Sequence, residues 1–103
     1  MKRIDEIANN AQVSEKALEA YLVRRVQMLG GIALKYSNPN QVGFPDRLVI
    51  LPEGKTFWCE MKSRGKKARA IQVQRMEQLR RLGQRVFLLD SREGIDKVID
   101  EMV

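Results

Sequence analysis

Residues 43–62 read GFPDRLVILPEGKTFWCEMK and predict a β-hairpin. Arg47 to Leu51 and Thr56 to Lys62 are rich in β-branched and aromatic residues, and the turn sequence Pro52-Glu53-Gly54-Lys55 separates them. So short a link makes the two strands antiparallel. Asp46, at the start of the first strand, is therefore expected beside Glu60, near the end of the second.

The end of this hairpin carries the residue types of a metal site. Side chains alternate along a strand, so Glu60 and Lys62 point the same way, about 6 to 7 Å apart. Two carboxylates held side by side repel each other unless a cation lies between them. Mg²⁺ or Mn²⁺ would suit Asp46 and Glu60, because both ions take oxygen ligands and retain water. Such an ion can activate water and polarise a phosphoryl oxygen, and Lys62 would position or help deprotonate that water. The alternative is an ordinary surface hairpin in which Glu60 only pairs with Lys62.

The chain is basic, and its basic residues are concentrated in one stretch. Its 103 residues predict one small domain, in which Lys and Arg outnumber Asp and Glu by 19 to 13. Between residues 62 and 85 there are nine basic residues against one acid, Glu77, whereas residues 90–103 are net acidic. A localised basic block indicates a polyphosphate partner. The alternative is a solvated helix face.

Several chemistries are excluded by composition. The chain has no histidine, so it has no imidazole base and no histidine-bearing zinc site. Its single cysteine, Cys59, lies in an apolar run and is expected to pack in the core. Catalysis would therefore depend on carboxylates, lysine and a hard metal. No apolar signal region or membrane-length stretch is present in the sequence, which predicts a soluble, intracellular, cytoplasmic protein.

The segments around the hairpin predict three helices and two further strands. Ser14 is a candidate cap for a helix from Glu15 to about Leu29, ended by Gly30-Gly31. Its buried stripe is predicted to be Leu18, Leu22, Val26 and Leu29. The remaining predicted elements are a strand at 32–36, a loop at 37–43, a basic loop at 63–69, a helix at 70–82, a buried strand at 86–89 and a helix at 92–102. Residues 1–13 are predicted to form a short helix or an arm.

Two polar residues occupy helix faces where apolar residues are expected. At 100° per residue, Glu15 falls in the middle of the first helix stripe, and Gln72 falls centrally on the face of Met76, Leu79 and Gly83. Both lie in the first turn of their helix, so each side chain would reach the edge of the core. Glu15 could act at the metal or simply complement the helix dipole. Gln72 could orient Lys62 or a phosphate, or simply cap its helix.

This set resembles the VRR-NUC family of the PD-(D/E)XK nuclease superfamily. The resemblance spans about residues 14–90 and consists of a helix Glu, Gly-x-Pro-Asp, Glu-x-Lys and a Gln followed by Gly. It implies an α/β, restriction-endonuclease-like core with a mixed central β-sheet flanked by α-helices. It also implies Mg²⁺ or Mn²⁺ held by Asp46, Glu60, the Met61 backbone carbonyl and Glu15, directly or through water. Lys62 would be catalytic, and Gln72 would support the site.

At this length the chain looks like a stand-alone, bacteriophage-type member, acting in a bacterial or phage-infected cell. Such members imply a homodimer that cuts branched DNA, including four-way (Holliday) junctions, with no organic cofactor. Four basic residues are expected to grip the phosphate backbone: Arg64, Lys66, Lys67 and Arg69. Tyr21, Val23 and residues 1–13 are candidates for the dimer interface. Arg47 departs from the apolar residue more usual after Pro-Asp, which puts the local packing in question.

Two other functions remain open from the sequence. The first is a nuclease of the same chemistry that cuts flaps, linear duplex or RNA. The second is a non-catalytic, basic DNA-binding module. A binding module has no need to keep carboxylates near phosphate, so the intact set of Asp46, Glu60 and Lys62 favours an enzyme.

Overall fold

The computed structural model describes residues 13–103 as a four-stranded sheet with helices on both faces. In chain order its elements are α1 (Glu15–Met28), β1 (Ile32–Lys35), β2 (Arg47–Leu51), a 3-10 turn (Pro52–Gly54), β3 (Lys55–Met61), α2 (Ala70–Arg81), β4 (Val86–Leu89) and α3 (Arg92–Met102). This order confirms the predicted succession of helices and strands. The arm predicted at residues 1–13 lies outside the described residues except for Val13, which packs against the core.

The sheet has the strand order β1-β2-β3-β4 and mixed pairing. β1 and β2 are antiparallel, β2 and β3 form the predicted antiparallel hairpin, and β4 is parallel to β3. Arg47 pairs with Cys59, so the next position outward brings Asp46 beside Glu60. The mixed sheet flanked by helices confirms the fold class expected from the sequence.

Two apolar layers cover the sheet, one on each face. α1 and α3 pack on one face, where Phe57, Cys59 and Met61 of β3 belong to the larger core. α2 covers the other face with Met76 and Leu79, which pack with Trp58 and neighbouring side chains. Cys59 is fully buried, and burial is the main cause that raises the pKa of its thiol to about 12. Its predicted role as a core residue is confirmed.

Local sequence signals explain where α1 begins and ends. The Ser14 hydroxyl accepts the N–H of Ala17 at 3.0 Å, which caps the helix as predicted. Gly30 turns the chain out of the helix with φ +83°, a conformation that glycine adopts without strain. The buried stripe comprises Leu18, Leu22 and Val26. The prediction that Leu29 belongs to it is wrong, because the helix ends at Met28 and Leu29 is 37% exposed.

The last strand is less buried than the sequence suggested. β4 lies at an edge of the sheet, and Leu88 is 43% exposed although a buried strand was expected. Val86 and Leu89 are buried, because they face the two helix layers. Within residues 13–103, no helix combines the length and the apolar character needed to cross a membrane.

Candidate active site

The open end of the β2–β3 hairpin holds Asp46 and Glu60 together. The backbone N–H of Asp46 donates to Glu60 Oε1 at 3.1 Å. The carbonyl of Asp46 accepts the N–H of Tyr36 at 2.7 Å, which fixes the same residue to the end of β1. The structure therefore brings these two predicted residues together, as the hairpin register requires.

Glu60 is a buried carboxyl group in an unfavourable electrostatic setting. Glu60 is 4% exposed, and the pKa of its carboxyl group is raised to about 7, first by burial and then by the charge of Asp46. The hydrogen bond from the Asp46 backbone and the charge of Lys62 oppose this rise only in part. A buried carboxyl near a second carboxylate gains most from a cation placed between them.

The alternative of a simple surface ion pair does not describe this hairpin. Glu60 is buried rather than solvated, and no Glu60–Lys62 ion pair occurs in the part of the chain that the structure describes. Lys62 follows directly after β3, where its backbone N–H donates to the carbonyl of Leu89 at 2.9 Å. This bond fixes the backbone of Lys62 beside β4, and the side chain remains partly exposed.

Glu15 reaches the same end of β3 from the first turn of α1. Its Oε2 accepts the backbone N–H of Ser63 at 3.3 Å, and its charge contributes to the raised pKa of Glu60. It is half-buried, at the edge of the core as the helix projection indicated. Residues 13–103 contain no group of three or more His, Cys, Asp or Glu side chains close enough to hold a metal ion. Glu15 thus lies near the Asp46–Glu60 pair without completing a three-carboxylate cluster.

Gln72 is a buried helix-capping residue. It is 6% exposed, and its Oε1 accepts the backbone N–H of Arg69 at 2.9 Å, across the first turn of α2. The sequence left two roles open for Gln72, helix capping and action at the site, and this contact is helix capping. The bond fixes the end of the basic loop where that loop enters α2. A role of Gln72 toward Lys62 or a phosphate stays a prediction.

Sequence reasoning missed an ion-pair network next to Asp46. Glu19 Oε1 accepts from Lys35 Nζ at 2.8 Å and from Arg47 Nε at 3.0 Å. Lys35 Nζ also lies 3.9 Å from Asp46 Oδ2. Burial acts to raise the pKa of Glu19, but the hydrogen bonds and charges of Lys35 and Arg47 lower it overall. The network therefore links α1 and β1 to the outer side of Asp46.

This network also explains the unusual residue after Pro-Asp. Arg47 and Lys35 face each other across β1 and β2, an arrangement of like charges that is unfavourable by itself. Glu19 lies between them and compensates both, and Arg47 also donates to the carbonyl of Ala33 at 3.2 Å. The available signal was the position of Glu19, one helical turn after Glu15.

The predicted DNA-binding residues lie in the loop between β3 and α2. All four are exposed, and they begin two positions after Lys62: Arg64, Lys66, Lys67 and Arg69. None of them forms an ion pair within the described residues. Their charges are thus available to solvent or to an anionic partner.

The side chains present fit a hard divalent cation. Asp46 and Glu60 offer two neighbouring carboxylates, and burial and the charge of Asp46 raise the pKa of Glu60 more than the charge of Lys62 lowers it. Mg²⁺ is typically bound through one or two carboxylates and keeps several of its waters. Two carboxylates are therefore sufficient, without a third acidic side chain in contact.

Comparison with known proteins places the chain in a family. No family model matches the sequence. The protein named "Putative nuclease p44" of Acyrthosiphon pisum secondary endosymbiont phage 1 is 41% identical over 81 residues, which are 79% of this chain and 87% of that protein. A solved structure described as "VRR_NUC domain" is 31% identical with a TM-score of 0.81 and covers 88% of this chain and 100% of its own. A second, described as "VRR_NUC domain protein", shares the fold at 16% identity with a TM-score of 0.68, covering 88% of each chain. The chain with this hairpin site therefore belongs to the VRR-NUC family.

Proposed function

We propose that this protein is a metal-dependent endonuclease that hydrolyses phosphodiester bonds in structured DNA, with a four-way junction as substrate and a homodimer as the active form. Nuclease activity is supported by the family and by the name of the phage relative. The observation that carries the proposal is the buried Glu60 carboxyl beside Asp46, next to Lys62 at the end of the hairpin.

Asp46 and Glu60 would hold Mg²⁺ or Mn²⁺, with the Met61 backbone carbonyl as a further oxygen ligand. Glu15 would join them directly or through a water molecule, since its carboxylate accepts the backbone N–H of Ser63, the residue after Lys62. Such an ion, when bound, lowers the pKa of a water molecule and offsets negative charge on the phosphate. Ionised Glu60 would then lie beside a cation instead of beside Asp46 alone.

Lys62 would act on the attacking water and on the charge that develops at the phosphate. Lys62 is partly exposed and forms no ion pair in residues 13–103, so its ammonium group can donate to an incoming oxygen. Gln72 would support the site by fixing the backbone of Arg69, since that bond sets how the basic loop enters α2.

The exposed loop residues Arg64, Lys66, Lys67 and Arg69 would contact phosphates on either side of the bond that is cut. Contacts to phosphate give affinity and register but carry no sequence information. This chemistry favours recognition of DNA shape. Arg64, the first of these four residues, lies two positions after Lys62, which would place the bound DNA backbone close to the metal.

A homodimer suits a four-way junction, because resolution requires two opposed nicks and a two-fold dimer supplies two sites in that symmetry. Of the candidate interface residues, Tyr21 donates to Asp96 of α3 at 2.7 Å and is engaged within its own chain. Val23 and the residues before α1 remain the proposed contacts.

Two alternatives share part of this reasoning. A flap, linear-duplex or RNA nuclease would use the same carboxylates and differ only in the shape that its basic loop accepts. A non-catalytic DNA-binding module would use the basic loop alone. The second is disfavoured, because a buried carboxyl with a raised pKa beside another acid destabilises a protein that has no use for it.

Substitution of Glu60 tests the enzyme directly. Wild type, Glu60→Ala and the control Glu77→Ala, an exposed acid on α2, would be incubated with labelled junction, flap and linear duplex in Mg²⁺, Mn²⁺ or EDTA. We expect metal-dependent cutting by wild type and Glu77→Ala, and a rate lower by about a hundredfold or more for Glu60→Ala.

Three outcomes of this experiment are decisive. No metal-dependent cutting of any substrate, or equal rates for Glu60→Ala and Glu77→Ala, would contradict the nuclease proposal. Paired nicks confined to the junction, together with a dimeric mass in sedimentation, would support the resolvase form. Preferential cutting of flaps or duplex would instead support the first alternative.

A further inference from the structure

A cavity of about 180 Å³ opens beside Asp46, between the 37–43 loop and the aromatic side chains of Tyr36 and Phe44. We propose that this cavity is a nucleobase subsite, which takes one unstacked base of the DNA strand whose phosphate lies at Asp46 and Glu60. The inference rests on the proposed nuclease function and adds a substrate requirement to it, namely an unstacked nucleotide next to the bond that is cut.

The chemistry of the cavity wall suits a base and not a phosphate. Tyr36 and Phe44 supply aromatic surface, and Asn38 and Gln41 supply amide groups. Asp46 is the only charged residue among those that line it, and its backbone N–H donates to the Glu60 carboxylate. Aromatic surface combined with neutral donors and acceptors is how proteins hold single bases. Phosphate would require the cations that this wall lacks.

The loop that forms the wall is held by its own hydrogen bonds. Asn38 Oδ1 accepts the backbone N–H groups of Asn40 at 3.0 Å and Gln41 at 3.1 Å. Asn38 Nδ2 donates to the hydroxyl of Tyr36 at 3.2 Å. The Tyr36 ring is in turn fixed edge-on by Trp58, with 5.2 Å between ring centroids. A preformed wall loses little conformational freedom when a ligand enters it.

The same loop is fastened to α2. Arg75 Nε donates to the carbonyl of Val42 at 3.0 Å, and its guanidinium lies 4.7 Å from the centroid of the Phe44 ring. Gly43 passes so close to α2 that a Cβ atom there would lie 2.7 Å from Ile71 Cγ1. The part of the cavity wall formed by Val42, Gly43 and Phe44 is therefore held against α2.

Polar groups remain free to read the edge of a base. The Tyr36 hydroxyl accepts from Asn38 and keeps its own proton for donation. The side chain of Gln41 is exposed and has no hydrogen-bond partner among residues 13–103, so its amide offers both a donor and an acceptor. These two groups lie in the wall that an entering base would face.

The volume fits one base. Pockets for drug-sized ligands begin at about 300 Å³, whereas a cavity of about 180 Å³ corresponds to roughly six water molecules. Unstacking a base requires least free energy where pairing is already interrupted. A branch point provides such a base, which gives the cavity a means of favouring branched over linear DNA.

A series of DNA substrates, each with an abasic site at a different position, tests the proposal. Binding would be measured in EDTA, where a metal-dependent enzyme cannot cut, on whichever of the junction, flap or duplex binds. One base at a time would be removed across the branch and the position of the cut. We expect removal of one base, next to the phosphate that is cut in Mg²⁺, to weaken binding about tenfold, with small effects elsewhere.

Variants of the wall link this penalty to the cavity. Gln41→Ala and Tyr36→Phe each remove one polar group and leave the aromatic surface, and Gln27→Ala removes a matched amide from the exposed end of α1. In the two wall variants the abasic penalty should fall to about threefold or less. Gln27→Ala should keep the full penalty.

The outcomes separate this inference from the nuclease proposal. A flat abasic profile in wild type, a maximum away from the cut, or equal profiles in all three variants would overturn the base subsite. If removal of one particular base weakens binding but no DNA is cut, the base subsite would be supported and the proposed hydrolysis would be contradicted. Failure to bind any of the three DNAs would overturn both.

Discussion

Glu60 is the site residue whose ionisation destabilises the folded protein. Its pKa is raised from the ordinary value of 4.5 to about 7, by burial first and by Asp46 second. The folded protein therefore holds the Glu60 proton more tightly than the unfolded chain does. Between these two values the unfolded state has lost the proton and the folded state has kept it, so the free energy of unfolding falls as pH rises.

This linkage predicts a pH dependence of stability in metal-free protein. As pH rises from about 5 to 8 in EDTA, the unfolding free energy of wild type should fall by at most about 3 kcal/mol. The unfolding free energy of Glu60→Gln should not show this fall. Urea unfolding at several pH values would measure it. Glu19, whose pKa is lowered, acts with the opposite sign and in a more acidic range. Identical pH slopes in wild type and Glu60→Gln would contradict the assignment of the raised pKa.

At the scale of elements, the 37–43 loop is attached to α2 a few residues before Asp46. Gly43 has φ +96°, and an added Cβ would meet Ile71 at 2.7 Å. Gly54, in the hairpin turn, has φ +74° with no atom within 4 Å of the same position. Both glycines have a positive φ, which other residues rarely adopt, but only at Gly43 do neighbouring atoms also leave no room for a Cβ atom.

Alanine substitutions separate the two effects. Gly54→Ala should lower the free energy of unfolding by about 1 kcal/mol through left-handed backbone strain alone, with cleavage near wild type. Gly43→Ala should lower it by about 2 kcal/mol or more and slow cleavage, because the loop must move away from α2 only three residues before Asp46. Urea unfolding and single-turnover cleavage would measure these effects. Equal behaviour of the two variants would show that the loop contact does not position Asp46.

Local signals were sufficient to predict most elements. Ser14 and Gly30 mark the ends of α1, and the short turn at Pro52–Gly54 sets the hairpin, so the pairing of Asp46 with Glu60 followed from register alone. Contacts between distant segments left no such signal. The Arg47–Glu19 pair and the Tyr21–Asp96 bond join residues 28 and 75 positions apart, and no pattern in the chain links the two partners of either contact.

At the scale of the whole molecule, the exposed basic loop lies at the same end as the carboxylate pair. Each phosphate contact from Lys or Arg releases counterions and makes binding depend more steeply on salt. The double variant Lys66→Ala, Lys67→Ala should therefore lower the slope of log affinity against log salt by about 2.

A charge-matched control distinguishes contact from net charge. Arg24→Ala with Lys97→Ala removes two exposed cations from α1 and α3, outside the basic loop. Its salt slope should stay near that of wild type when binding to the junction is followed in EDTA at several salt concentrations. Equal loss of slope in both double variants would indicate that total charge, and not the loop, governs binding.

The chain separation of the contacts also bears on the order of folding. The Asp46–Glu60 contact spans 14 residues, whereas the Tyr21–Asp96 bond between α1 and α3 spans 75. Short loops close at a smaller entropic cost, so the hairpin can form its acidic end before the helices cover it. Mg²⁺ supplied during refolding should then speed the folding of wild type in stopped-flow experiments, and have no such effect on Glu60→Gln. In that case the ion proposed to act in cutting would also assist the folding of the chain.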